Sequence, residues 1–341
     1  MKKAWLLLGL AGIGWLDYQS PQSLTLSLFY GILCLQAGSQ LGARAAVWMA
    51  ILSVSLHCAV NGFPHPWYLA ALQDLCELCL LVIVGLEAAL VRSKINEARS
   101  VHARLRAHLE SAREVQKALL RPPILSEIPI EFSLRFEIAV ELGGDLFFVQ
   151  PRRSGLLFCV ADVSGKGPAA ALISSMLRGL LEELAGQASG PADLLTRIQT
   201  RLTGLLPENT FVTCFCGDLD YTRNSINYAN AGHDPPFLRT AVGLRELPCQ
   251  SLPLGIDSEA ALEESAIPFA SGDLLLVYTD GLTDARQADT RVRLGDEKVR
   301  KVLLAHQGSC EELTSALFDL LAYPLADDVM LLALRSTGVQ P

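Results

Sequence analysis

Apolar residues are crowded into one end of this chain. Four runs, at about 5–16, 24–35, 45–60 and 68–90, fill the first 91 positions with few charges, whereas residues 92–341 have an ordinary soluble composition. Half of the chain is hydrophobic and its mean hydropathy is +0.32, values raised by that first part alone. A helix needs about 20 apolar residues to cross a bilayer. The fourth run is long enough and the first three are shorter. Together they predict an all-α, four-span membrane domain over residues 1–91. A signal peptide is the rival for the first run, since Lys2 and Lys3 precede it. No small-residue cleavage site follows, and three more apolar runs do. Lys2, Lys3, Arg44, Arg92 and Lys94 would all fall on one side of four spans. The positive-inside rule then puts both ends in the cytoplasm, with Trp67 and Tyr68 at the outer interface.

Charge divides the same way. The chain has 28 Lys/Arg and 36 Asp/Glu; 11 and 7 of these lie in residues 1–121, leaving a net −12 for residues 122–341. Nucleic-acid binding needs phosphate-neutralising Lys and Arg, so no nucleic-acid partner is expected. The nine cysteines are scattered and spell no disulfide framework. Cys76 and Cys79 form a C-x-x-C inside an apolar helical run, where packing is the simpler reading.

Asp74 and Glu77 share a face of the fourth run. Acids in a membrane helix turn toward a bundle interior or cavity. They read either as a sensing site with His57 and His65 or as helix-pairing residues. Residues 92–121 form a charged helical linker. Ala98, Val101, Leu105, His108, Ala112, Val115 and Leu119 trace a heptad seam. The seam predicts a homodimeric coiled coil, with a single amphipathic helix as the alternative; Pro122 and Pro123 end it.

From residue 130 strands and helices alternate. Residues 154–162, 210–219, 225–229, 273–279 and 329–334 read as strands, and 169–184 as a helix with Pro168 at its first turn. Asp145, Asp162, Asp280 and Asp327 each stand at or beside the end of an apolar strand. Four acids on separate strands are better explained by a shared cation than by four ordinary turns, because gathered carboxylates repel unless neutralised. An all-oxygen ligand set points to Mg²⁺ or Mn²⁺ rather than Zn²⁺.

The motifs continue in order: "AREVQKALL" at 112–120, "GGD" at 143–145, "ADVSGKGPAAAL" at 161–172, "TFVTCFCGDLD" at 210–220, "YANAGHDPP" at 228–236, "LPLGI" at 252–256, "GDLLLVYTDGLTDA" at 272–285 and "DDVMLLAL" at 327–334. This ordered set resembles the bacterial SpoIIE/RsbU-type serine/threonine phosphatases, a branch of the metal-dependent PP2C-like (PPM) class. The resemblance implies an α+β domain over 122–341, an α-β-β-α sandwich of two antiparallel sheets flanked by helices. It implies two Mn²⁺ or Mg²⁺ ions and water made reactive by them. Asp162 would bridge the metals with the Val163 carbonyl as a further ligand. Asp280 and Asp327 would complete one metal site, and Asp145 would serve the other. Asp162 and Asp280 are the catalytic candidates. Gly143 and Gly144 are expected to let the backbone turn so that Asp145 faces inward. Lys166 could steer phosphate or be a solvated loop lysine; His233 could donate a proton or serve a turn. The implied partner is a phosphorylated STAS-type anti-sigma-factor antagonist, and the implied location a bacterial inner membrane.

The sequence departs from the family at Phe148, where many relatives carry a second acid. Asp284 also replaces a common Glu, and Met330 a common Thr or Ser. The alternative function is a catalytically silent membrane receptor or docking module of the same fold.

Overall fold

The structure, a computed structural model, describes residues 2–19, 27–61, 67–122, 128–140, 142–257 and 259–337. The chain divides into two compact units, Met1–Ala107 and His108–Pro341.

All four apolar runs become helices: α1 (Lys2–Gln19), α2 (Ser27–Leu41), α3 (Ala43–Asn61) and α4 (Trp67–Leu119). Leu6, Leu10, Tyr30, Leu33, Ala37, Met49, Ala50 and Leu81 close a shared interior. The expectation of four membrane spans is not met: among the described residues no helix is long and apolar enough to cross a membrane. Length is the physical reason for α2, whose 15 residues reach only about 22 Å against a hydrocarbon core of roughly 30 Å. The side chains of residues 57–78 lie outside the described set, and with them the sensing candidates His57, His65, Asp74 and Glu77. The fourth run and the charged linker fuse into the single 53-residue α4, with no proline to interrupt it. Its seam residues Val101, Leu105, Val115 and Leu119 are exposed.

The second unit is a sandwich of two five-stranded antiparallel sheets. One, in the order β1-β10-β9-β6-β7, uses β1 (Ile130–Glu137), β6 (Phe237–Thr240), β7 (Gly243–Glu246), β9 (Leu274–Tyr278) and β10 (Val329–Ser336). The other, in the order β2-β3-β4-β5-β8, uses β2 (Leu146–Arg152), β3 (Gly155–Val163), β4 (Val212–Asp220), β5 (Ser225–Ala231) and β8 (Ser265–Pro268). Strand alternation assigns the layers. On β10, Met330, Leu332 and Leu334 enter the core between the sheets. The intervening Val329, Leu331 and Ala333 meet α8 (Gly295–Ala305) and α9 (Cys310–Phe318). Helices α5 (Pro168–Leu184) and α6 (Pro191–Leu202) cover the other sheet. Both faces of the central strands are therefore buried, which is why β3 reads as a nearly unbroken apolar run. The implied α-β-β-α layering is what forms.

Candidate active site

The acids meet because both sheets deliver them to the same end. β2 and β3 run antiparallel with Leu146 opposite Ala161, so Asp145, just before β2, lies beside Asp162, the penultimate residue of β3. β9 and β10 pair with Tyr278 opposite Leu331. The turn after β9 therefore carries Asp280, as the first residue of α7 (Asp280–Asp284), close to Asp327 and Asp328, just before β10.

Two hydrogen-bond sets join the sheets. Thr279 Oγ1 donates to Asp145 Oδ2 at 2.7 Å and accepts from the Met330 N–H at 3.0 Å. Asp328 accepts from the Ala139 N–H at 2.8 Å and from the Gly144 N–H at 2.9 Å. A third clamp comes from α4: Gln116 Nε2 donates to the Gly143 carbonyl at 2.7 Å, and its Oε1 accepts from the Gly143 N–H at 3.2 Å.

Crowding and burial disfavour charge in the cluster. Burial first, then the Asp162 charge, pushes the Asp145 carboxyl well above the ordinary carboxylate range. Asp162 is pushed up to about 6, by burial first and Asp280 second. Asp280 and Asp328 are raised by burial as well. Both buried carboxyls thus give up their protons less readily than a free carboxyl does. At the rim, Lys166 Nζ meets Asp327 Oδ2 at 2.6 Å and the Ala326 carbonyl at 2.9 Å.

The glycines before Asp145 act differently from the expectation. Neither has a positive φ; what they supply is space. A Cβ on Gly143 would overlap Asp328 Oδ2, and one on Gly144 would stand 3.0 Å from the Val163 carbonyl oxygen. The absent Cβ at Gly144 leaves that carbonyl uncovered beside Asp162. Phe148 is fully buried, with the Arg178 guanidinium of α5 stacked 4.8 Å from its ring centroid. The position that holds an acid in many relatives is here part of the packing under α5.

His233 is buried, not solvent-facing. Its backbone N–H donates to Asn230 Oδ1 at 2.8 Å, and its ring Nδ1 lies 3.0 Å from Thr213 Oγ1. Nε2 is buried without a hydrogen-bond partner among the described residues. Burial lowers the ring to about 4, so it is neutral near pH 7. The turn role fits this placement.

Asp145, Asp162, the Val163 carbonyl, Asp280 and Asp327 thus gather at one end, while Asp74 and Glu77 belong to the other unit. Sequence reasoning missed Thr279, Asp328 and Gln116. Each lay inside a quoted motif, but only the fold shows what it touches. Asp234 was missed too: burial, then the Asp280 charge, raises it to about 6.

Among the described residues, no three His, Cys, Asp or Glu side chains already stand as a metal shell. Thr279 holds an Asp145 oxygen, and Lys166 an Asp327 oxygen. The donor chemistry nevertheless fits a hard divalent cation: carboxylates and one uncovered carbonyl, partly buried and short of positive charge.

A model of the family described as Stage II sporulation protein E (SpoIIE) matches residues 152–337. The chain belongs to the SpoIIE family. It is a metal-dependent serine/threonine phosphatase, a hydrolase. This SpoIIE-family chain is 24% identical over 244 residues to the phosphoserine phosphatase RsbU of Bacillus subtilis (strain 168), covering 70% of this chain and 72% of RsbU. Its fold matches the SiaA-PP2C domain of Pseudomonas aeruginosa with a TM-score of 0.62 at 20% identity, over 69% of this chain and 98% of that one. RsbX in complex with magnesium matches with a TM-score of 0.50 at 18% identity, over 60% and 94% of the two chains.

Proposed function

We propose that the chain removes phosphate from serine or threonine of a signalling phosphoprotein, with two Mn²⁺ or Mg²⁺ ions held by Asp145, Asp162, Asp280, Asp327 and the Val163 carbonyl. The observation that carries this reading is the meeting of acids from both sheets, tied together by the Thr279–Asp145 bond. Similarity to RsbU, a phosphoserine phosphatase, and to RsbX, seen with magnesium, supports it. Bound divalent ions supply charge against the phosphoryl oxygens and lower the pKa of an attacking water. The chain's own residues prepare that place. Thr279 holds the Asp145 carboxyl in its orientation. Asp328 and Gln116 hold the Gly143–Gly144 backbone against the cluster. Lys166, exposed at the rim, lets go of Asp327 and steers the incoming phosphate. The substrate class is a STAS-type anti-sigma-factor antagonist, as the family resemblance implies. Phosphate release from a phosphoserine protein with Mn²⁺ tests the reading: wild type is active, Asp162→Ala is not, and equal release from both removes the enzyme claim.

The helical unit serves, in this proposal, as an anchor to a bacterial inner membrane with both termini cytoplasmic, and Asp74 and Glu77 are its sensing candidates. Support comes from outward-facing Trp5, Leu8, Trp15, Trp48 and Leu90, large apolar side chains exposed on the unit. Residues 92–121 pair two copies; the exposed seam of Val101, Leu105 and Val115 supports this. Alkaline extraction of membranes checks the anchor: an embedded chain stays in the pellet, and release to the supernatant overturns it.

A further inference from the structure

Beside the acid cluster lies a groove that the hydrolysis does not use. Its cavity of about 580 Å³ sits between the end of α6 and the loop at Gly255 and Ile256. Leu202, Leu206, Pro207, Phe211 and Ile256 supply apolar lining, and Glu208 adds an acid.

The walls are fixed. Val212 and Leu254 exchange N–H to carbonyl bonds of 2.9 and 2.8 Å. Gly255 has φ +91°, and a Cβ there would overlap Leu206. The Phe211 N–H donates to Ser164 Oγ at 2.9 Å, and the Ser164 N–H donates to the Phe211 carbonyl at 3.0 Å. That pair continues the β3–β4 ladder past Val163 opposite Val212. Phe211 therefore begins the groove two strand positions beyond Asp162, about 7 Å along the backbone.

Two facts say what the groove takes. An aliphatic side chain of its lining stands in water: Ile256 is 54% exposed. The surrounding residues 122–341 carry a net −12, while a phosphoprotein substrate brings further negative charge. Like charges repel, so docking has to draw on apolar burial. A preformed apolar groove next to the reacting end supplies it with little reorganisation.

We propose that this groove is a specificity subsite that receives an apolar side chain of the phosphoprotein, two to four residues from its phosphoserine. The spacing follows from about 3.3 Å per extended residue and the groove's start about 7 Å from Asp162. The inference rests on the phosphatase reading and adds which flanking residues the enzyme selects.

Three substrates test it with the full chain and Mn²⁺: p-nitrophenyl phosphate, a phosphoserine peptide with Leu at the second to fourth positions on both sides, and the same peptide with Asn there. The Leu peptide is expected to exceed the Asn peptide at least ~10-fold in kcat/KM, since losing aliphatic burial is worth about that factor. Ile256→Asn, and separately Leu206→Asn, should erase the preference and leave p-nitrophenyl phosphate turnover unchanged. Equal use of both peptides by wild type overturns the subsite. So does a preference that survives both substitutions, or an equal loss on all three substrates. Failure of wild type on every substrate overturns the phosphatase reading and the subsite together, whereas turnover of p-nitrophenyl phosphate with indifference to the peptides overturns the subsite alone.

Discussion

The two sheets deliver their acids in different states. Asp145 and Asp162, from β2 and β3, sit deep; Asp145 is 3% exposed, and burial and then the Asp162 charge raise its carboxyl well above the ordinary range. Asp280 and Asp327, from the turns flanking β9 and β10, lie nearer solvent, and Asp327 is paired with Lys166. The deep pair has lost the water that could stabilise its charge, which disfavours its ionised form. The outer pair remains accessible to side chains and solvent. A single site can thus combine a rigid floor, fixed by hydrogen bonds from both sheets, with a rim that can rearrange when ligands arrive.

Substitutions should break this contrast unequally. Asp162→Ala removes the acid that neighbours both Asp145 and Asp280; phosphate release with Mn²⁺ should fall by about 10³-fold, the scale of losing a principal electrostatic stabiliser of the transition state. Gly143→Ala drives a Cβ into Asp328. It should cost about 1–3 kcal/mol of stability, as overpacking does, read as a lower denaturation midpoint together with weakened Mn²⁺ binding.

Acidification sharpens the same comparison. Asp162 binds its proton more tightly folded, at about 6, than at the ordinary 3.8. The metal-free native state therefore holds more protons than the unfolded chain between those values. Its stability should rise as pH falls through about 6 and gain nothing further from this group below 3.8. Melting in chelator at pH 7.5 and 5.5 measures the sign. With saturating Mn²⁺ the sign should reverse, because protons then compete with the metal. The smallest effect is expected at the rim. Lys166→Ala removes a solvent-exposed ion pair, which contributes little to stability. The melting temperature should barely move, while freeing Asp327 should tighten Mn²⁺ binding by a few-fold, measured by titration calorimetry.

Much of this organisation was readable along the chain. Acids beside strand ends at 145, 162, 280 and 327 singled out the candidate cluster, because a carboxylate beside an apolar strand is conspicuous in one dimension. The expected strands at 225–229 and 329–334 became β5 and β10 with small extensions. The roles of Thr279, Asp328 and Gln116 were not readable, since each acts on a backbone or carboxylate far away in sequence. Phe148 looked like a missing ligand and is a buried ring under Arg178. The glycines at 143 and 144 signalled a turn, but their function is clearance for Asp328 and Val163. Local composition reports which residue types a segment contains and how often they alternate; it does not report what approaches from another sheet.

The sequence by itself determined the division into a helix-rich apolar part and an acidic α+β part, the strand alternation, and the supply of oxygen ligands, because these depend on residue type and short-range periodicity. The tertiary structure decided which acids are buried side by side, which one Lys166 occupies, and that a groove opens beside them. Those outcomes depend on distances between strands whose order along the chain differs from their order in the sheets.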